Sequence, residues 1–364
     1  MRTRLLVAGL ALYAAALGAR ELPLDELHLP PGFHVAVFAQ VSNARELALG
    51  AHGTVFAGSM SAGKVYAITP SADGTRADEV RTIAHGLRMP VGVAFHDGAL
   101  YVSAVSRILR FDAIESSLED PPNAHVVTDQ LPGEAAHGWR FIAFGPDGKL
   151  YIPIGAPCNV CDRPGFAKLT RRNGDGSGVE DVALGIRNTV GFDWQPGTGT
   201  LWFTDNGRDW LGDDVPADEL NRLDRPGEHF GFPYCHQGDL PDPEFGIGHP
   251  CSRYTPPALK LGAHVAALGM RFYTGKQFPP EYRNSIFIAE HGSWNRTHKV
   301  GYRVVNARVN VTPANVPSTF ISGWLQSDQG VWGRPVDVLV MPDGALLVSD
   351  DLAGVIYRIS YSKP

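Results

Sequence analysis

Four segments of the chain set polar side chains beside apolar, strand-like runs. The first is Ala136-His137-Gly138-Trp139-Arg140, just ahead of Phe141 to Phe144. A neutral imidazole there can accept a proton near neutral pH, which makes His137 a candidate general base. The plain alternative is a histidine bonded to a backbone carbonyl. The second is Gly185-Ile186-Arg187-Asn188-Thr189. An arginine and an asparagine between apolar residues are costly unless they are paired or bound to an anion. Arg187 can fork onto a carboxylate and Asn188 can bond a carbonyl, although an Arg–Asp pair between structural units explains the arginine equally.

The third segment is Asp205-Asn206-Gly207-Arg208-Asp209, followed by Asp213, Asp214, Asp218 and Glu219. Carboxylates and turn carbonyls at this density suit Ca²⁺, a hard ion that takes oxygen ligands. The spacing is not that of an EF-hand, and a solvated acidic loop has the same composition. The fourth is Glu290-His291-Gly292-Ser293-Trp294-Asn295-Arg296, with Lys299 soon after and Arg334 further on. Together with Arg187 and Arg88 these residues set several cations round one opening, which suits a multiply charged anionic ligand.

Segments so far apart need a fold that returns the chain repeatedly to one axis, and a recurring turn supplies it. Phe95-His-Asp-Gly-Ala-Leu-Tyr-Val102, Phe144-Gly-Pro-Asp-Gly-Lys-Leu-Tyr-Ile152 and Val340-Met-Pro-Asp-Gly-Ala-Leu-Leu-Val348 are three clear copies. Leu49-Gly-Ala-His-Gly-Thr-Val-Phe56, Trp194-Gln-Pro-Gly-Thr-Gly-Thr-Leu-Trp-Phe203 and Tyr282-Arg-Asn-Ser-Ile-Phe-Ile288 are looser ones. Asp-Gly supplies the positive φ values of a tight hairpin, and the apolar residues after it read as a strand facing a packed core. The turns recur mostly about 45–60 residues apart, the period of four-stranded propeller blades. The expected fold is therefore all-β, a single six-bladed β-propeller over residues 20–364. Two packed β-sandwiches are the alternative, but they do not require one turn six times. The longer gap between Gly199 and Ser285 is rich in Gly, Pro, Asp and His, and predicts a long inserted loop around 205–260 on one face of a blade.

Composition narrows the setting. Arg2 and Arg4, the apolar Leu5 to Leu17 and the small residues Gly18 and Ala19 read as a secretory signal peptide over residues 1–19. A short membrane anchor is the rival, but the run is short for a bilayer, and no later stretch is apolar enough to span. A periplasmic or secreted protein with no stable membrane span after cleavage is expected. The net charge is −6 with no basic block, so nucleic acid is not an expected partner. In an oxidising compartment disulfides are the default for Cys158, Cys161, Cys235 and Cys251. Local closure favours Cys158–Cys161 and Cys235–Cys251; a redox or metal role is the rival for the first pair. Asp162 stands where a c-type haem motif needs histidine.

With these motifs in hand, the chain resembles the PQQ-dependent soluble glucose and aldose sugar dehydrogenases, and within them the sorbosone dehydrogenase-like members. The resemblance runs from Leu29-Pro-Pro-Gly-Phe33 to Tyr357-Arg-Ile359. It is carried jointly by His137-Gly-Trp-Arg-Phe-Ile-Ala-Phe-Gly-Pro-Asp-Gly148, Gly185-Ile-Arg187-Asn188, Asn206-Gly207-Arg208-Asp209 and Glu290-His-Gly-Ser-Trp-Asn-Arg296. It implies the cofactors PQQ and Ca²⁺, a small-molecule sugar or sugar-aldehyde substrate, and a separate electron acceptor.

By the same resemblance, His137 takes the substrate proton and Arg187 polarises the reacting end of the quinone. Asn188 and Arg334 bind the cofactor, and the backbone carbonyls of Gly207 and Arg208 hold the calcium ion. Arg296 or Lys299 is the nearest match to a fifth-blade cationic ligand, and Arg88 neighbours a second-blade contact. The chain departs from the glucose-type pattern where Val336 stands in place of a second basic residue. A Ca²⁺-dependent lactonase on a similar propeller, or a propeller that only binds partners, are the rival functions.

Overall fold

The computed structural model describes residues 22–309 and 316–363. The expected signal peptide lies outside the described residues. Among those described, six antiparallel sheets form the blades of a propeller. Blade one runs Ala44–Leu49, Val55–Ser59, Val65–Pro70 and Ala77–Ala84. Blade two is Val93–His96, Ala99–Ala104, Arg107–Phe111 and His125–Thr128. Blade three is Ala143–Phe144, Leu150–Ile154, Lys168–Arg172 and Glu180–Leu184. Blade four is Phe192–Trp194, Leu201–Asp205, Ala217–Leu223 and Leu259–Ala263. Blade five is Ala267–Phe272, Ile286–Glu290, Arg303–Ala307 and Ser318–Ile321. Blade six closes the ring, because Pro335–Val340, Leu346–Asp350 and Val355–Tyr361 pair with the early strand Phe33–Gln40.

The recurring turn joins the first and second strands of every blade. In blade two Asp97 and Gly98 both take positive φ, 47° and 76°, and His96 pairs directly with Ala99. That is the two-residue hairpin in which Asp-Gly is favoured. In blades three and six only the glycine is left-handed. There the aspartate instead accepts a backbone N–H two residues on, Asp147 from Lys149 at 3.1 Å and Asp343 from Ala345 at 3.1 Å.

Strands in a propeller are covered on both faces, so they read as nearly continuous apolar runs. The six largest buried clusters each lie between consecutive blades. Phe56 and Val65 meet Val93 and Val102, Tyr101 meets Ile152, Tyr151 meets Phe203, and Trp202 meets Ile288. Phe287 meets Val348, and Leu347 meets Val55.

At the axis, buried carboxylates tie each inner strand to a neighbour. Glu46 accepts the amides of Val93 and Ile142, both at 3.1 Å, Asp337 that of Leu47 at 2.9 Å, and Asp193 that of Phe272 at 2.8 Å. Burial pushes all three carboxyls above their ordinary range, while Arg271 between Asp337 and Asp193 opposes it. A strand amide left unpaired at this crowded centre would cost about 1–3 kcal/mol.

Residues 205–260 are not one loop. The stretch contains the third strand of blade four, Ala217–Leu223, and its insertion proper follows that strand. The expectation erred because Asp218, Glu219 and Asn221 look solvated, yet all three are buried. Their oxygens accept backbone or side-chain N–H groups, or, for Asn221, its amide donates to Glu219. The insertion adds Glu228–His229 to the edge of blade three and a small hairpin of Cys235–His236 with Leu240–Pro241. Both expected disulfides are formed, Cys158–Cys161 and Cys235–Cys251. No helix among the described residues is long and apolar enough to cross a membrane.

Candidate active site

A cavity of about 490 Å³ opens at one mouth of the propeller, lined from blades one, three, four, five and six. It falls in the size range of small-molecule sites, about 300–1,000 Å³.

His137 lies in the loop that leads into blade three, at a left-handed φ of 49°. Its Nδ1 is 2.6 Å from the carbonyl oxygen of Ala156. A carbonyl only accepts, so Nδ1 carries the hydrogen and Nε2 keeps a lone pair for the cavity. Burial, and then the charge of Arg187, lower the imidazole to about 3. The ring is therefore a neutral proton acceptor at physiological pH, steadied edge-on by Trp139 at 5.5 Å. The same Ala156 donates its N–H to the carbonyl of Arg187 at 2.8 Å. One residue thus sets the relative position of base and cation. Gly155 before it must be glycine, because a Cβ would lie 2.6 Å from His137 Cβ.

Arg187 is buried, and all five of its N–H groups meet protein acceptors. Nε bonds Asn159 O at 2.8 Å, Nη1 bonds Asn206 O at 3.3 Å and Gly207 O at 2.8 Å, and Nη2 bonds Asn159 Oδ1 and Asp209 Oδ2, both at 3.0 Å. Its charge faces the cavity, but its donors are committed. Asn159 belongs to the Cys158–Cys161 loop and also accepts Asp209 N at 2.8 Å. The disulfide therefore does more than staple a surface turn, since it holds the principal partner of Arg187. The backbone amides of Arg187 and Asn188 donate to Asp205 at 2.8 and 2.6 Å. Burial nonetheless raises that carboxyl to about 7. The side-chain amide of Asn188 has no protein partner among the described residues and lines the cavity.

The opposite wall was only partly legible in sequence. Asp351 accepts Arg45 Nη1 at 2.7 Å and His291 Nε2 at 2.9 Å. Burial pushes the Asp351 carboxyl up, but His291 and Arg45 hold it far below the ordinary range. Burial lowers His291 to about 4 against the pull of Asp351, so the ring is neutral and donates to the carboxylate. Arg45 Nε is buried without a partner. Arg334 donates Nε to His291 O at 3.1 Å and Nη2 to Gly292 O at 3.0 Å, and lies over the ring of Tyr302 at 5.6 Å. Its Nη1 has no protein partner among the described residues.

His137, Arg187, Asn188, Gly207 and Arg334 thus meet on one cavity. Arg88, Arg296 and Lys299 do not line it. Arg88 reaches the Gly133 carbonyl at 3.0 Å on the exposed rim, Arg296 is taken up by Asp213 O at 2.6 Å and Asp214 at 3.0 Å, and Lys299 by Gln329 O at 2.7 Å. These cations serve loops, because loop acceptors lie closer to them than the axis does. The Arg208 side chain turns away to Asp242 at 2.5 Å. The Gly207 carbonyl already accepts Arg187, which leaves it one lone pair. Val336 packs with Val190 and Leu268 in a small apolar patch. Arg45, His291 and Asp351 went unassigned in the sequence. The signal for Arg45 was a charged Arg45-Glu46 pair inside an apolar inner strand.

These features define a propeller enzyme whose ligand site draws on five blades, with a neutral imidazole facing arginines. The chain belongs to the glucose/sorbosone dehydrogenase family, whose model matches residues 104–295; a TrAA12-like model matches residues 246–362. An uncharacterized protein of Borreliella burgdorferi is 34% identical over 361 residues, covering 95% of this chain and 93% of its own. Among solved structures, a calcium structure of the Trichoderma reesei family AA12 enzyme is 19% identical with a TM-score of 0.80, covering 95% of this chain and 100% of that one. The holo PQQ domain of Coprinopsis cinerea pyranose dehydrogenase is 18% identical with a TM-score of 0.77, covering 92% and 97%. The PQQ-bound aldose sugar dehydrogenase of Streptomyces coelicolor is 20% identical with a TM-score of 0.65, covering 92% and 100%. At these identities the structural likenesses speak for the fold.

Proposed function

We propose that this sugar dehydrogenase uses PQQ with Ca²⁺ to oxidise an aldose to its lactone, or a sugar aldehyde to its acid. In this reading it acts outside the cytoplasm and passes its electrons to a separate acceptor. The observation that carries the proposal is the single cavity lined by Arg45 and shared by the free Nε2 of His137 and the unspent donors of Asn188 and Arg334. An acidic, flat, carbonyl-bearing guest meets each of those groups with its opposite. Arg45 and Arg334 would take carboxylates and Asn188 a ring carbonyl. When bound, such a quinone supplies the two-electron acceptor that no side chain offers.

The chain's own part is orientation and proton handling. Nε2 of His137 takes the proton of the substrate hydroxyl while Nδ1–H stays donated to Ala156 O, a contribution of about 10²–10⁴ in rate. Arg187 acts by its charge from the wall, since its N–H groups are engaged, and stabilises negative charge that builds within the cavity. For calcium the residues supply little on their own. Gly207 offers one remaining lone pair, and no group of three His, Cys, Asp or Glu side chains poised for a metal exists among the described residues. Calcium would therefore enter together with the cofactor's oxygens. The same observation gives no support to a lactonase, whose chemistry would need such carboxylates.

The test is reconstitution of purified protein with PQQ and Ca²⁺, followed by a panel of aldoses and sugar aldehydes with a dye acceptor. Dye reduction that disappears in His137→Ala is expected. Failure to bind PQQ would end the proposal.

A further inference from the structure

Among the described residues, Trp210 and Trp294 are the Trp, Tyr and Phe side chains left exposed, at 67% and 66%. They come from different blades, yet their rings meet edge to face at 5.2 Å. Trp294 borders the mouth of the cavity, and Trp210 follows Asp209, which lines it. Trp210 sits at a φ of 69°, a left-handed conformation a bulky residue seldom adopts.

The two loops are tied to each other on both sides of the pair. Asn295 Nδ2 donates to Asp209 Oδ1 at 2.9 Å, Arg296 Nη1 to Asp213 O at 2.6 Å, and the Thr297 amide to the Asp213 carboxylate at 3.2 Å. These are the contacts that draw Arg296 away from the cavity. Two costly features, strain and exposed apolar area, are thus held rigidly in one place. A site of two indoles is far too small for a stable protein interface. The residues bonded between the two loops are all polar: Asp209, Asp213, Asp214, Asn295, Arg296 and Thr297. The ligand that fits is neutral, with an apolar C–H face and a polar rim, which describes a pyranose ring.

We propose that Trp210 and Trp294 form a stacking platform for a second sugar unit, so that the preferred substrates are reducing oligosaccharides that extend beyond the reducing-end ring being oxidised. This deepens the sugar-dehydrogenase reading and rests on it. The reacting ring lies inward at His137, and the indoles touch what projects from the mouth. The acidic guest of the cationic wall lies deeper and does not need them.

The experiment compares glucose with its linear di-, tri- and tetrasaccharides in the reconstituted enzyme, for wild type, Trp210→Ala and Trp210→Phe. Wild type should show a lower KM for the oligomers. Trp210→Ala should raise the oligomer KM roughly tenfold with kcat unchanged, leave glucose kinetics alone, and be partly rescued by Trp210→Phe. In cofactor-free protein, tetrasaccharide should perturb the tryptophan emission of wild type and not of Trp210→Ala. Equal loss on glucose and oligomers would overturn the platform, as would weakened PQQ binding without any change in oligomer preference. If no sugar is oxidised, the functional reading fails. The emission titration then still decides the platform, because no response to tetrasaccharide overturns it.

Discussion

Replacing His137 with glutamine should remove a pH dependence of stability as well as activity, and the first can be read without any cofactor. Burial and Arg187 lower the folded-state imidazole from 6.5 to about 3. In the unfolded chain the ring titrates near 6.5. Between those values the unfolded state binds a proton that the folded state refuses. The contribution of His137 is therefore fully present above pH 6.5 and drains away as pH falls toward 3. At pH 5 the gap from 6.5 is about 1.5 units, which at 1.36 kcal/mol per unit amounts to about 2 kcal/mol. Residual solvent access makes that figure a ceiling. Urea unfolding of cofactor-free protein at pH 8 and pH 5 gives the measurement. Wild type should lose up to about 2 kcal/mol more than His137→Gln across that interval. Equal losses would mean that His137 ionises as an ordinary histidine. Burial would then not keep a neutral base facing the arginines, whatever the kinetics show.

Three further outcomes follow from the same geometry. Reducing Cys158–Cys161, or replacing both cysteines with serine, should lower cofactor affinity by loosening Asn159 from Arg187, as read by a PQQ titration; removing Cys235–Cys251 should not have this effect. Arg45→Met should leave Asp351 to His291 alone and destabilise the fold by about 3 kcal/mol, measured by urea unfolding at pH 7, and should weaken PQQ binding. Ca²⁺ alone should leave Tm nearly unchanged, whereas Ca²⁺ with PQQ should raise it, as mass action on the folded state requires.

The turns were legible because their chemistry is local. Asp97-Gly98 and Gly148 need no distant partner to specify a hairpin, and their period counts the blades. His137, Arg187 and Asn188 stood out because polar groups beside apolar runs demand an explanation. Arg45 and Asp351 did not, since what makes them part of the site is a 2.7 Å contact between residues 306 positions apart. Arg88, Arg296 and Lys299 show the converse. A cation near the right motif looks the same in sequence whether its acceptor is a ligand or an adjacent loop. Ala217–Leu223 was hidden for a related reason, because buried carboxylates satisfied by amides read as surface charge.

The seam of the ring lies in blade six. Arg334 and Asp351 belong to the segments around Pro335–Val340, Leu346–Asp350 and Val355–Tyr361, and the last of these pairs with Phe33–Gln40. Without Val355–Tyr361, the strand Phe33–Gln40 keeps its ring contacts to Phe278 and Phe320 but has no hydrogen-bonded partner. A chain lacking that final strand would leave the ring open between blade six and Phe33–Gln40, beside the wall that carries Arg334 and Asp351. Closure of the ring thus depends on one antiparallel pairing between strands more than 300 residues apart.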